Sequence, residues 1–486
     1  MPGLRTRPTC PADVADQRTR PRRTHARAHA GFTPHSDHDH DHDHDHDEVD
    51  RMTSQNATSA GSASGPELAR PGLSWSGTVD YGPGPLHAPT SVDQLRALVG
   101  RSGRIRALGT RHSFSAVAAS DADLVTLAMM PSDLEFDTAA RTVRVAAGVR
   151  YGELAVAAAE VGLALANTGS LPHISVGGAS ATGTHGSGDA NRSLASAVRA
   201  VELVTAGGDL LTLSREGDPE IFDGVVLSLG MLGVVTHLTL DLVPAFSMRQ
   251  SVHLDLSPQA MTQEALSDQL GAGYSVSLFH RWDGRIAQAW VKQVVDVDAP
   301  LPDQWHGGHR ATHPVHPLPD LPADPCTDQS GQPGPSHERL PHFRLEFTPS
   351  NGEEIQSEYF VTREQVADAL AAVTDLGERI RPLLHASEVR TVAADDLWLS
   401  PAHQRDSACV HFTWKQLPAE VEALLPEIEE RLAPFAPRPH WGKVFTTDPE
   451  TVRAQYARLE DFQALRNRMD PDRVFRNAYV DRLLGE

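Results

Sequence analysis

A chain of 486 residues is longer than one hydrophobic core ordinarily supports, and its 40% hydrophobic and 22% charged content is that of a globular protein. The formal net charge of −21 excludes the phosphate backbone of nucleic acid as the main ligand, and no apolar run approaches the roughly 20 residues that a membrane helix needs. Three cysteines, Cys10, Cys326 and Cys409, are too few and too scattered for a disulfide framework or a Cys-rich metal site, which fits a reducing, cytoplasmic setting.

From residue 1 to about residue 70 the chain is rich in Pro, Arg, Thr, Ser and Ala without hydrophobic periodicity. Such a segment buries too little apolar surface to offset its ordering entropy, so a disordered tail is expected. Within it His38, His40, His42, His44 and His46 alternate with aspartates from Asp37 to Asp47, a tract able to offer imidazole nitrogens to added metal. The tract has no fixed geometry and no folded shell, so no metal site is assigned to it. Arg22-Arg23 is followed by polar sequence where an export signal needs an apolar stretch, and Met52 is a second position at which translation could start.

Residues 71–245 read as a cofactor-binding unit. Ser91-Val92-Asp93-Gln94 is a capping-box pattern that opens an amphipathic helix through Leu95, Leu98 and Val99, and Arg104 to Leu108 reads as a strand. Gly109-Thr110-Arg111-His112-Ser113-Phe114 follows as a strand-to-loop turn with a histidine at its tip. A strand over Thr142 to Ala147 and a helix over Gly152 to Val161 lead to the segment Ser170 to Gly188, where glycines alternate with serines and threonines. Backbone N–H groups and short hydroxyls in such a segment can wrap a diphosphate. It matches neither the G-x-G-x-x-G dinucleotide fingerprint nor the G-x-x-x-x-G-K-[ST] P-loop, and the interleaved Pro172, Ile174 and Val176 argue against a linker. Val198 to Thr205 and Leu210 to Leu213 flank a turn as a hairpin, and Leu227 to Thr236 takes a helix end into a long strand.

Residues 246–434 read as a different, α+β unit inserted before a C-terminal piece, 435–486, that completes the first. Strands are expected over Ser275 to His280 and Ala287 to Val294, a Pro- and His-rich loop over Pro300 to Pro341, and one helix from Arg363 to Ile380. Glu388 and Arg390 alternate on an extended segment and share one face, placing an acceptor beside a donor fork as a row of vicinal hydroxyls requires.

Taken together, the His112 turn, the Ser170 to Gly188 segment, Leu229 to Val235 and Pro439-His440-Trp441-Gly442-Lys443-Val444-Phe445 resemble the vanillyl-alcohol-oxidase-type flavoproteins, and among them the alditol oxidases, from about Leu73 onward. The resemblance implies a two-domain α+β FAD-linked oxidase fold, with a discontinuous FAD domain carrying an inserted substrate domain. It implies FAD bonded through its 8α-methyl to a ring nitrogen of His112, in a loop that often reads Gly-Ser-Gly-His-Ser-Phe where this chain has Thr110 and Arg111. Cofactor contacts carry over to Gly109, Thr110, Arg111, Ser113, Ser170, Ser175, Gly178, Thr182, Gly183, Thr184, His185, Val235 and His440.

By the same resemblance Ser170, Glu388, Arg390, Thr413 and Lys443 surround a small polyol, and Arg390, Lys443 and His440 are the catalytic candidates. A fixed ammonium at Lys443 would stabilise the negative charge that hydride transfer creates, and the proton acceptor is open between His440, Lys443 and an ordered water. The implied reaction is oxidation of the terminal alcohol of xylitol or sorbitol to the aldose, with O2 reduced to H2O2. Aldonolactone oxidases or dehydrogenases, acting on gulono- or galactono-lactone, share the flavin histidine and the His-Trp-x-Lys phrase and are the alternative. The expected partners are therefore a polyol and O2, with no nucleic acid and no membrane, and a monomer is compatible with these features.

Overall fold

Period-2 alternation in the first part of the chain builds two sheets. Leu134–Asp137, Thr142–Ala146, Val234–Asp241, Val198–Val204 and Leu210–Ser214, in that spatial order, form an antiparallel sheet. Leu86–His87, Asp123–Val125 and Ile105–Ala107 pair in parallel, with the backbone of Glu67–Leu68 added antiparallel at one edge. These elements are described in a computed structural model of residues 71–319, 321–347 and 352–485, with the backbone of Glu67–Leu68. The expectations for the histidine tract, the arginine pair and Cys10 lie outside the described residues.

The inward positions of the five-stranded sheet, Val143, Val145, Val201, Leu203, Leu238 and Leu240, are buried with Leu154 and Ala158 of the Tyr151–Glu160 helix. Trp441, Phe462, Leu465, Val480 and Leu483 join the same cluster. The end of the chain thus returns to the core laid down by its first part, and burial of that many large side chains, worth about 1.5–3 kcal/mol each, holds it there. Ser91 caps the Val92–Val99 helix by accepting from the Gln94 amide, as its sequence pattern requires.

A buried cation ties these parts together. Arg106, 2% exposed, donates through Nη1 to Phe475 O (2.7 Å) and Gly230 O (3.1 Å), and through Nη2 to Leu229 O (2.8 Å) and Val117 O. Burial, followed by repulsion from Arg466, lowers its pKa to about 10.

The second part is a ten-stranded sheet among the described residues, whose central strands run Ser247–Leu254, Ile286–Val294, Ser275–His280, Leu384–Val392, Ser407–Lys415, Glu354–Thr362 and Arg438–Pro439. Ile355, Tyr359, Val361, Val389, Val410, Phe412 and Trp414 point to one face and pack on the helices Val366–Thr374 and Pro418–Leu432. The alternate residues of the same strands point the other way and are mostly polar, with Phe360, Cys409 and Val392 in a small apolar cluster of their own. Register fixes them in rows: Glu358 opposite His411 opposite Glu388, and Phe360 opposite Cys409 opposite Arg390.

Three elements differ from expectation. The Pro- and His-rich loop expected over Pro300 to Pro341 contributes the short strands Gln304–Trp305, Gly308–Arg310 and Gly334–Pro335 to the large sheet. The helix expected over Arg363 to Ile380 is a 3-10 turn, Arg363–Gln365, and two helices, Val366–Thr374 and Gly377–Ile380. The break falls where a Cβ on Gly377 would come within 2.4 Å of the Trp282 carbonyl oxygen, so close packing on Trp282 fixes the chain there. The Ser170 to Gly188 segment contains a helix, Val176–Thr182, that its glycine content concealed. A Cβ on Gly177 would lie 2.8 Å from the Ala147 Cβ, so this glycine serves helix-to-sheet packing.

Replacing Arg106 with Met leaves Phe475 O, Gly230 O and Leu229 O without this donor, whereas Val117 O keeps Asn477 Nδ2 (3.1 Å). The expected loss of stability is about 3 kcal/mol or more, read by denaturant unfolding; a loss below about 1 kcal/mol would show that water or neighbouring groups satisfy those carbonyls.

Candidate active site

Three distant pieces of sequence meet at the His112 turn. Ser175 N–H donates to Thr110 Oγ1 (3.2 Å), and Phe114 N–H donates to Gly442 O (2.7 Å). Ser115 Oγ donates to Trp441 O (2.7 Å). The His112 ring stacks on Trp75 with centroids 5.6 Å apart, and Trp75 N–H donates to Arg111 O (2.9 Å). Arg111 itself has φ +64°, a left-handed conformation that strains any residue with a Cβ. That is where the resembling loop often carries glycine.

The remaining cofactor candidates form a connected path. Ser175 is the N-terminal cap residue of the Val176–Thr182 helix, which contains Gly178, and Gly183 (φ +72°) closes the helix. Thr182 Oγ1 lies 3.3 Å from Thr184 Oγ1. Leu229 N–H donates to Ala181 O (3.1 Å), bringing the strand entry that carries Val235 against the helix end. Ala147, which donates to Thr236 O, accepts from Gly177 N–H, so the helix also meets that strand through the Ala147 backbone. Hydroxyl and backbone donors around a histidine turn, contributed by three sequence segments, fit a flavin dinucleotide. His112 would hold it covalently, with Thr110, Ser175 and the Val176–Thr182 helix beside it.

On the large sheet, the polar face gathers the substrate candidates around a residue absent from them. Glu358 has a side chain with 0% exposure. Its Oε1 accepts from Arg390 Nη2 (2.8 Å), its Oε2 accepts from Lys443 Nζ (2.7 Å), and His185 Nε2 lies 3.2 Å from Oε2. Burial alone would push the Glu358 carboxyl up, but Lys443 and Arg390 outweigh it and hold the group well below the usual carboxylate range. Burial lowers the Lys443 pKa, with Glu358 opposing the shift and Arg390 adding to it. For Arg390, burial is outweighed by Glu388 and Glu358, and its pKa is raised. His185, Glu358 and Cys409 offer atoms within 4.8 Å of one another, but a metal ion there would face the Lys443 and Arg390 cations already paired with Glu358.

In the same row, two strands away, Glu388 is encircled without being satisfied. Its Oε1 lies 3.5 Å from His342 Nε2, and its Oε2 lies 3.4 Å from Arg390 Nε and 3.9 Å from His411 Nδ1. Glu388 Oε1, Arg390 Nε, His411 Nδ1 and both His342 nitrogens are buried without a hydrogen-bond partner among the described residues. Ser170 borders this group: its Oγ accepts from Arg390 Nη1 (3.4 Å) and its carbonyl accepts from His342 N–H (3.1 Å). Thr413 stands two residues from His411 on the same face. Ser170, Glu388, Arg390, Thr413 and Lys443 are thus brought to one polar surface.

His440 is placed differently from a free base. Its backbone N–H donates to Glu358 O (3.0 Å), and its ring Nδ1 accepts from Gly442 N–H (3.0 Å), which leaves the ring proton on Nε2. Burial, then Lys443, holds its pKa well below the ordinary histidine value; burial likewise keeps His185, His342 and His411 neutral.

Sequence reasoning missed Glu358, His411 and His342. Gln356 and Glu358 alternate on Glu354–Thr362 as Glu388 and Arg390 do on Leu384–Val392, and that repeat of polar alternation is the sign that could have found Glu358.

Comparison with known proteins agrees with this geometry. An FAD-binding-domain family profile matches residues 84–214, and a D-arabinono-1,4-lactone oxidase profile matches residues 349–483. The chain is 47% identical over 418 residues to an alditol oxidase of Streptomyces sp., covering 84% of this chain and 98% of that protein. It is 31% identical over 433 residues to an L-gulono-1,4-lactone dehydrogenase of Mycobacterium tuberculosis, covering 85% and 98%. Among solved structures, cholesterol oxidase from B. sterolicum superposes with TM-score 0.71 at 18% identity, covering 86% of this chain and 97% of that one. Chitooligosaccharide oxidase superposes with TM-score 0.68 at 14% identity, covering 85% and 96%. The fold is therefore the two-domain α+β FAD oxidase fold, and among the described residues no helix is long and apolar enough to cross a membrane. With a flavin-type fold, an FAD-binding segment and near-complete coverage of a relative sharing almost half its residues, the chain is an oxidoreductase that belongs to the alditol oxidase family of FAD-binding enzymes.

Proposed function

We propose that this protein oxidises the terminal primary alcohol of an alditol such as xylitol or sorbitol to the aldose, using FAD held covalently on His112 and O2 as oxidant, with release of H2O2. The observation that carries this reading is the set of buried, unpartnered polar atoms on Glu388, Arg390, His342 and His411. Leaving such atoms without partners costs about 1–3 kcal/mol each, and a chain of vicinal hydroxyls, each both donor and acceptor, satisfies them in a row.

FAD held at His112 and the Val176–Thr182 helix would supply the hydride-accepting and oxygen-reducing chemistry. The protein's part is to orient the carbinol and to stabilise charge on its oxygen. Glu388 accepts from hydroxyls along the chain, Ser170 and Thr413 offer hydroxyl partners, and Arg390 and Lys443 lower the proton affinity of the reacting alcohol. His440, with Nδ1 committed to the Gly442 amide, can only donate from Nε2. Lys443 is held as an ammonium by Glu358, so the hydroxyl proton leaves to water. The same reading assigns 71–245 and 435–486 to the flavin domain and 246–434 to the substrate domain, supported by the shared core of the first and last pieces. The buried free thiols of Cys326 and Cys409 support a cytoplasmic setting.

The match of residues 349–483 to a lactone oxidase profile favours one second reading, an aldonolactone oxidase or dehydrogenase. Substrate shape separates the two. Under anaerobic conditions excess xylitol should bleach the flavin absorbance, and air should restore it with peroxide release; a flavin that ignores xylitol and bleaches with an aldonolactone would establish the second reading. Changing Lys443 to Ala should slow the bleaching by roughly a hundredfold or more at unchanged flavin content, the size expected for one charge-stabilising group. In-gel fluorescence after denaturation should vanish in His112→Ala, and its persistence would remove His112 as the attachment point. Arg111→Gly should relieve the left-handed turn, raising stability by about 1 kcal/mol or less and leaving the fraction of covalently bound flavin at least as high; a lower fraction would give the Arg111 side chain a positive role.

A further inference from the structure

Glu358 occupies the middle of the Glu354–Thr362 strand, between two cations that the reaction uses. Charged or titratable groups face it from every neighbouring element. His411 and Cys409 come from the adjacent strand, with Arg390 and Glu388 from the strand beyond. His185 comes from the loop after the Val176–Thr182 helix, and His440 and Lys443 from the segment after Arg438–Pro439. Burial keeps the histidines neutral and pushes the Cys409 thiol up, so neither offsets the cations. Within this group the carboxylates of Glu358 and Glu388 stand against the guanidinium of Arg390 and the ammonium of Lys443. Only Glu358 touches both cations within hydrogen-bond distance, at 2.8 Å and 2.7 Å.

We propose that Glu358 is a positioning residue of the reaction: it does not touch the substrate, but fixes Lys443 Nζ and Arg390 Nη2 on one carboxylate and keeps Lys443 charged over the working pH range. The inference rests on the alditol-oxidation reading for the roles of Lys443 and Arg390. Two cations sharing a dry site repel each other, and burial disfavours charge on both. A guanidinium does not give up its proton, whereas an ammonium does, so Lys443 is the group that discharges when the carboxylate is lost. The sign follows directly: Glu358 raises the Lys443 pKa, and neutralising Glu358 lowers it.

The test compares wild type with Glu358→Gln and Glu358→Asp as purified, flavin-loaded proteins. The rate of anaerobic flavin reduction by excess xylitol is followed against pH. In Glu358→Gln the alkaline fall in rate should begin at least one pH unit lower than in wild type, and Glu358→Asp should recover part of the difference; coincident alkaline limbs would overturn the proposal. A substrate-free readout separates this inference from the reading beneath it. Sulfite adds reversibly to bound flavin, and the adduct's negative charge is stabilised by a nearby cation, so sulfite affinity should decline at lower pH in Glu358→Gln than in wild type. A wild type that binds sulfite but ignores xylitol sinks the alditol reading while the sulfite comparison still decides Glu358; superimposed sulfite titrations overturn Glu358 whatever the substrate. If Glu358→Gln does not fold, the double variant Glu358→Gln/Lys443→Met, which removes one cation with the carboxylate, should regain most of the wild-type melting temperature. A double variant that also fails to fold would assign Glu358 a structural role apart from Lys443 and end the proposal.

Discussion

A carboxylate with no exposed surface, lodged between a guanidinium and an ammonium, is the interaction on which the rest of the site turns. Taking any of these charges out of water is costly by several kcal/mol, and their mutual attraction offsets that only when geometry is good and other polar neighbours are placed to help. Here the geometry comes from the sheet. Glu358 and Arg390 sit on strands separated by one other, two residues apart in register, and the backbone ladder holds them more firmly than two surface side chains could hold each other. Lys443 arrives from outside the sheet, and its segment is pinned because His440 N–H donates to the carbonyl of Glu358 itself and Val444 N–H donates to Gln356 O.

The alternation of the strands explains why that arrangement is rigid. Each of the three central strands spends one set of residues on the apolar face, where Tyr359, Phe412, Trp414 and Val389 are almost fully buried under two helices, and the other set on chemistry. A slip of one residue would turn the polar rows into the core and the core outward, so the register carrying Glu358, His411 and Glu388 is enforced by the hydrophobic side. The flavin turn is tied to this sheet through the segment Trp441-Gly442, which accepts from Ser115 and Phe114. Cofactor attachment and charge stabilisation are therefore referenced to one another by backbone bonds rather than by long side chains.

Much of this was legible in the sequence, and the parts that were not share a cause. The His112 turn, the hairpin after Val198, the strand Ser275–His280 and the extended placement of Glu388 and Arg390 on one face all depend on local pattern, and local pattern showed them. Glu358 did not stand out because a glutamate in Gln-Ser-Glu-Tyr-Phe looks like any strand residue facing water; its meaning comes from pairing with Ser407–Lys415 and, beyond it, Leu384–Val392, which no single segment announces. His342 was hidden in a Pro- and His-rich loop; Lys292, buried on Ile286–Val294 and donating to Leu340 O and Pro341 O, holds that loop together with Thr327, whose hydroxyl donates to Pro341 O, and His342 there meets Glu388. The Val176–Thr182 helix was masked by its glycines, of which Gly177 serves packing on Ala147, and the break before Gly377 by a tertiary contact with Trp282.

The two glutamates on this face show how one sheet can supply both rigidity and recognition. Glu358 has a cation on each oxygen, and His185 also stands 3.2 Å from its Oε2. Glu388 Oε2 lies 3.4 Å from Arg390 Nε and 3.9 Å from His411 Nδ1, and its Oε1, 3.5 Å from His342 Nε2, has no hydrogen-bond partner among the described residues. Inside a protein an unsatisfied buried carboxylate oxygen is a standing penalty unless something outside the chain completes it. The shared partner, Arg390, spans the two: its Nη2 is spent on Glu358 while its Nε, beside Glu388, has no partner. A ligand that completes the Glu388 side therefore meets a guanidinium whose orientation has already been set from the Glu358 side, and the entropy of fixing that side chain is met in folding rather than in binding.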